Sequence, residues 1–252
     1  PCDPIVIGTL EGRRVAFLPR HGVGHRFCPS AVPARANIYA LKQLGVKQII
    51  SVSAVGSMRE DYAPLDIVIP DQLFDHTKHR ISTFFDEGLV VHVSFANPFC
   101  SVLSAALYQA GLEAGAMVHR GGTYICIEGP QFSTRAESRI YRQWGVDIIG
   151  MTAIPEAKLA REAEMCYATL AVVTDYDVWH VSEQPVTVDV VVQNLLKNVE
   201  TAKKIVRAAL PLIGDTRSCE CATALKDAII TQRTKIPEET KKRLAALVGN
   251  YI

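Results

Sequence analysis

Residues 168–173 are apolar along nearly their whole length and lead straight into Thr174-Asp175-Tyr176-Asp177. The run reads as a buried segment that carries two carboxylates, one residue apart, at its C-terminal end. In α/β folds, ligands collect just beyond the carboxyl ends of strands, where Asp175 and Asp177 stand. If the chain stays extended there, alternate residues share a face and the two carboxylates point the same way. One could then accept a hydrogen bond from an amine while the other donates a proton. Acids at a helix N-cap or in a turn give the same local sequence, and both readings stand at this point.

Strand and helix patterns alternate through the rest of the chain. Strands are expected at 14–18, 48–55, 66–70, 123–127 and 147–151. The second of these closes in a small-residue turn, Ser53-Ala54-Val55-Gly56-Ser57. Helical spacing marks 34–44, 99–114, 134–144, 155–163 and 186–212, with Gly45 and Gly115 as stops and Thr187 as a cap. The alternation predicts an α/β fold: a single-domain, three-layer arrangement over 1–252, with a central mixed sheet flanked by helices. Residues 215–252 read as a polar tail ending in a short helix.

Charge and cysteine usage narrow the classes. The 27 basic and 26 acidic residues nearly cancel and leave no footprint for nucleic acid. No apolar run approaches the roughly 20 residues that span a bilayer, and no signal peptide is expected. The seven cysteines are scattered rather than arranged as a secreted framework, so a reducing, cytoplasmic setting is expected. The 48% hydrophobic content suits buried subunit contacts or a strongly buried sheet.

Polar groups gather after the strands. Arg20 and His21 follow the first, Ser53 and Ala54 the second, and Met151-Thr152 the strand before the helix at 155. A guanidinium fork, hydroxyls, backbone N–H groups and a helix N-terminus all favour an anion such as phosphate. The carboxylate pair suits a ligand carrying an amine, and adenine fits because its N6 amine and N7 lie side by side. Other motifs fall short. His21-x-x-x-His25 sits in a Gly-rich loop without an adjoining Glu, so no metal is expected there. Cys219-Glu220-Cys221 lacks a second pair in the sequence to complete a four-cysteine site. No G-x-S-x-G, P-loop or G-x-G-x-x-G is present, which removes support for a serine hydrolase, a P-loop NTPase or a dinucleotide-binding dehydrogenase.

Taken together, these blocks resemble the 5′-methylthioadenosine phosphorylase family of the trimeric purine nucleoside phosphorylase superfamily. The resemblance is carried by Leu18-Pro19-Arg20-His21-Gly22, the segment 35–42, Ser51-Val52-Ser53-Ala54-Val55-Gly56-Ser57 and the segment 66–72. It continues through 127–138, Ile149-Gly150-Met151-Thr152 and Thr174-Asp175-Tyr176-Asp177, in family order. Gln131-Phe132 and Ala224-Leu225-Lys226 look most like the bacterial branch. Phosphorolysis to adenine and 5-methylthioribose 1-phosphate is implied, in purine and methionine salvage. Phosphate would be a co-substrate and no cofactor would be required.

The resemblance also implies roles for individual residues. Arg20, His21, Ser53, Ala54 and Thr152 would bind phosphate. Phe132 and Ser133 would line the purine, and Met151 would lie beneath the ribose. Asp175 would protonate N7 and Asp177 would read the N6 amine. Val188 and Val192 would surround the methylthio group, and His92 would reach a neighbouring subunit's pocket in a homotrimer. Two departures stand out. The family's opening strand and its Gly-Gly-Ser/Thr-Gly phosphate turn are not found before Pro1, and Val23 stands where an Arg is usual. The competing expectations are a 6-oxopurine nucleoside phosphorylase, which the acid pair disfavours, and an inactive nucleoside-binding protein.

Overall fold

The computed structural model describes residues 1–180 and 188–252. A seven-stranded mixed sheet forms its centre. The strands are β3 (Gln48–Ser57), β4 (Ile67–Ile69), β5 (Gln72–His76), β6 (Val118–Arg120), β7 (Thr123–Ile127), β8 (Ile148–Gly150) and β9 (Cys166–Asp175). They lie in the order β5-β7-β8-β3-β9-β4-β6. β3 runs parallel to β9 along its length and antiparallel to β8 at Gly56 and Ser57.

The apolar run in β9 is explained by burial on both faces. Cys166, Ala168, Leu170 and Val172 face one layer, built from α2 (Ser101–Glu113) and α5 (Val188–Leu212). Tyr167, Ala171 and Val173 face the other, where α1 (Ala34–Gln43) and α4 (Ala153–Glu162) pack. The period of two therefore serves two cores at once. A smaller apolar group under α3 (Arg135–Gln143) includes Met58, Ile125, Tyr141 and Ile149.

Helix boundaries follow local chemistry. Ala34, Ile38 and Leu41 put one face of α1 into the core, and Gly45 leaves the helix at φ 81°. Thr134 caps α3 with a full capping box, its hydroxyl taking the Glu137 N–H while the Glu137 carboxylate takes its own. The expected cap Thr187 lies outside the described residues.

Three expectations need correction. The strand at 14–18 is the second arm of a hairpin, β1 (Val6–Leu10) with β2 (Arg13–Phe17), outside the central sheet. Its turn residues Glu11 and Gly12 both have positive φ, the geometry of a two-residue hairpin loop. Residues 53–57 are not a turn but the end of β3, where a register shift after Val55 sets Gly56 opposite Asp175. Residues 215–252 are not merely a tail: Leu225, Ile236, Leu244, Leu247 and Val248 join the core beside α1, and α6 (Glu238–Arg243) and α7 (Ala245–Val248) end the chain.

Candidate active site

Three neighbouring strands bring Ser53, Ala54, Thr152, Asp175 and Asp177 together along the upper half of β3. The Ser53 hydroxyl lies 2.6 Å from that of Thr152, which follows β8, and 3.4 Å from the Tyr124 hydroxyl of β7. Further along β3, Gly56 lies against Asp175 and Asp177. A Cβ at Gly56 would stand 2.9 Å from Asp175 Oδ1 and 3.4 Å from the Asp177 Cβ, so only glycine fits between these acids and β8. Three residues of strand separate the hydroxyl pair from the acid pair, about 10 Å. That is roughly the reach of a nucleobase with its sugar.

The acids reach this position differently from an extended strand. β9 ends at Asp175, and Asp177 sits at φ 51° in the turn beyond it. Asp175 Oδ1 accepts the Asp177 N–H at 2.8 Å, while its Oδ2 accepts the Thr174 hydroxyl at 2.7 Å. The turn reading and the site reading are thus both true of the same residues. The side-chain bond makes the turn, and the turn brings Asp177 back beside its partner. Burial raises the Asp175 carboxyl above the ordinary carboxylate range. Asp177 is only 6% exposed, and burial, with a smaller contribution from the charge of Asp175, lifts it to about 6. Its Oδ2 is a buried acceptor with no partner among the described residues, as is the Ser133 hydroxyl. Buried polar atoms are satisfied in nearly all folded proteins, so both atoms are candidates for bonding a ligand.

The residues expected to hold an anion are already bonded within the chain. Arg20 donates to Glu156 Oε2 at 2.9 Å, to the Ser51 hydroxyl at 2.7 Å and to the Val52 carbonyl at 2.9 Å. The same Glu156 oxygen accepts the Tyr167 hydroxyl. His21 places Nδ1 2.8 Å from the Phe27 carbonyl and stacks on His25, and burial lowers its pKa. The neutral ring then donates from Nδ1 and presents Nε2 as an acceptor. A groove of about 750 Å³ opens beside Arg20, walled by β2, the edge of β3, α5 and Glu156. It does not extend to Ser53 or Asp175.

The remaining expected residues lie on several other segments. Phe132 is 43% exposed in the loop before α3, and Met151 packs its sulfur against Gly129. Val188 and Val192 are exposed one turn apart on α5. That helix is held over the end of β9 by Asn194 and Asn198, which donate to the Thr174 and Val173 carbonyls. Ala54 lies within β3, half-buried. His92 is exposed elsewhere, its N–H bonded to the Ala228 carbonyl, and is not gathered with the others.

Sequence reasoning missed four residues that shape the site: Arg80, Tyr124, Glu156 and Gly56. Arg80, its side chain 3% exposed, donates to the carbonyls of Ile127, Glu128, Met151 and Ile154 and so ties together the ends of β7 and β8. Nothing in its local sequence marks that task. Tyr124 read only as a strand residue. A Cβ on Gly150 would collide with its hydroxyl, so the glycine of Ile149-Gly150-Met151-Thr152 had a physical reason that a sequence pattern alone conceals.

Known proteins share this fold and much of this sequence. The family described as the Phosphorylase superfamily matches residues 2–211. An S-methyl-5′-thioadenosine phosphorylase of Geobacter sulfurreducens is 58% identical, covering 100% of this chain and 88% of its own length. That of Koribacter versatilis is 55% identical, covering 100% and 86%. A solved methylthioadenosine phosphorylase from an antarctic soil metagenomic library superposes with a TM-score of 0.93 at 55% identity, covering 98% of this chain and 88% of that one. A methylthioadenosine phosphorylase from Schistosoma mansoni in complex with adenine gives 0.87 at 36% identity, covering 93% and 89%. This chain belongs to the phosphorylase superfamily and, within it, to the S-methyl-5′-thioadenosine phosphorylases.

Proposed function

We propose that the chain cleaves 5′-methylthioadenosine with phosphate, releasing adenine and 5-methylthioribose 1-phosphate. The carrying observation is the Asp175–Asp177 pair, with one buried acceptor that has no partner among the described residues, set about 10 Å along β3 from paired hydroxyls. Asp177 Oδ2 accepts the N6 amine, and a protonated Asp175 donates to N7. As the C1′–N9 bond breaks, its electron pair enters the purine and the Asp175 proton neutralises it. A phosphate oxygen forms the new bond to C1′. The raised pKa of Asp175 favours the protonated form this step needs.

Phosphate is held by Ser53, Thr152, the Ala54 backbone N–H, Arg20 and His21. The hydroxyls turn their protons from each other to the anion, and Arg20 exchanges internal acceptors for it. His21 Nε2 accepts from a protonated phosphate oxygen. Phe132 and Ser133 border the purine, Met151 underlies the ribose, and Val188 and Val192 offer apolar surface to the methylthio group. His92 contributes from a neighbouring copy in a homotrimer, which its exposure away from the gathered residues supports. The reaction uses no resident cofactor, and seven free cysteines support a cytoplasmic setting in purine and methionine salvage. Among the described residues no helix is long and apolar enough to cross a membrane.

The test is chromatography of products from methylthioadenosine with and without phosphate. Equal amounts of adenine and the sugar phosphate, formed only with phosphate, are expected. Adenine with free methylthioribose, or nucleoside binding without turnover, contradicts the assignment.

A further inference from the structure

The second cysteine pair that the sequence could not supply is present in the fold. Cys100, Cys166, Cys219 and Cys221 bring their sulfurs within 4.8 Å of one another, and all but Cys219 are buried. We infer that these four thiols form a structural metal site, taking one thiophilic divalent ion such as Zn²⁺ as a tetrathiolate.

The geometry carries this reading. Four sulfurs at a Zn–S distance of about 2.3 Å form a tetrahedron with edges of about 3.8 Å. The Cys166–Cys219 separation is 3.4 Å, and every other pair lies within 4.8 Å. Small side-chain movements bring all four to tetrahedral distance. The ligands come from three places: the residue before α2, the first residue of β9, and the Cys219-x-Cys221 loop. Sequence spacing conceals such a site because the pairs are brought together only by the fold.

One further observation favours negative charge there. Cys100 occupies the N-cap of a 13-residue helix, a position that stabilises a thiolate. A small cavity of about 30 Å³ opens beside Cys100, Cys166, Cys219 and Arg217, room for one ion or water. Binding would release the thiol protons and involves no electron transfer. With four protein ligands the ion keeps no open position, so its task is to staple the loop to the sheet and to α2. The chain beyond that loop then pairs Ala228 with His92 and Ile230 with Val90.

The full-length chain, reduced and then dialysed with Zn²⁺ or Co²⁺, is the material for the test. We expect about one ion per chain and, for cobalt, the intense visible bands and sulfur-to-metal charge transfer of a tetrahedral tetrathiolate. Cys219→Ser and Cys221→Ser should each weaken zinc retention at least tenfold while leaving adenine release unchanged, which shows that the variant folds. Zinc should raise the melting temperature of the parent chain only. Failure of the reduced chain to retain metal, equal retention by both variants, or octahedral cobalt spectra would overturn the assignment. So would a non-reduced chain in which mass spectrometry finds Cys219 joined to Cys221 and reduction restores no metal binding.

Discussion

The base end and the anion end of the site are built on opposite plans. At the proposed base end, Asp177 Oδ2 and the Ser133 hydroxyl are buried without a partner among the described residues, and a turn and Gly56 fix the position of Asp177. At the anion end, Arg20 is bonded to Glu156, Ser51 and Val52, and Ser53 is bonded to Thr152. A ligand adds bonds at the first end and exchanges them at the second. Affinity should therefore come mainly from the base, while phosphate binding gains only the difference between new and old partners.

The largest test of that contrast is Asp175→Ala. It removes the proton donor and should lower kcat by about 10²- to 10⁴-fold, read as adenine release at saturating phosphate. Unaltered turnover would remove Asp175 from the chemistry. Next in size is Glu156→Ala, which leaves Arg20 without its buried partner and should cost about 3–5 kcal/mol of stability, read as a lowered denaturation midpoint. A midpoint shift near zero would mean that Arg20 is not anchored as described. Ser53→Ala and Thr152→Ala each delete a bond to a charged ligand worth about 1.5–3 kcal/mol, raising the phosphate KM by roughly 10- to 100-fold. Nucleoside KM should barely change; a larger effect on nucleoside than on phosphate would break the division between the two ends.

The smallest effect separates the ends by pH. Asp177 is raised from 3.8 to about 6 by burial, so the folded chain holds this proton more tightly than the unfolded one. Its contribution to stability is complete below pH 3.8 and lost as pH rises through about 6. Only the ionised form accepts an amine without competition, so kcat/KM should fall about tenfold per unit below pH 6. Asp177→Asn should flatten that limb, and persistence of the limb in the variant would assign it to another group.

Much of this was legible in the chain. The burial of β9 follows from its apolar run, and α1 and α3 begin and end within a residue of where their spacing places them. Less legible were features set by partners distant in sequence. Residues 53–57 look like a turn because they are small, yet they form a strand in which Asp175, Asp177 and β8 press against Gly56. Glu11 and Gly12 close the hairpin of β1 and β2, and nothing local places that hairpin outside the central sheet. Arg80 and Glu156 act through carbonyls and a guanidinium far along the chain, and local sequence leaves no mark of either. The cysteines show the same limit, with one pair visible as Cys219-x-Cys221 and the other supplied by the fold.

The most direct test of the central claim, that the acid pair reads adenine, is the ratio of kcat/KM for methylthioadenosine to that for methylthioinosine. A 6-oxo group faces Asp177 with an acceptor in place of a donor, so the parent chain should favour the 6-amino substrate by about 10⁴-fold. Asp177→Asn can donate to an oxo group and should shrink that ratio by about 100-fold or more. A parent ratio near one, or a ratio unmoved by the substitution, would contradict the account.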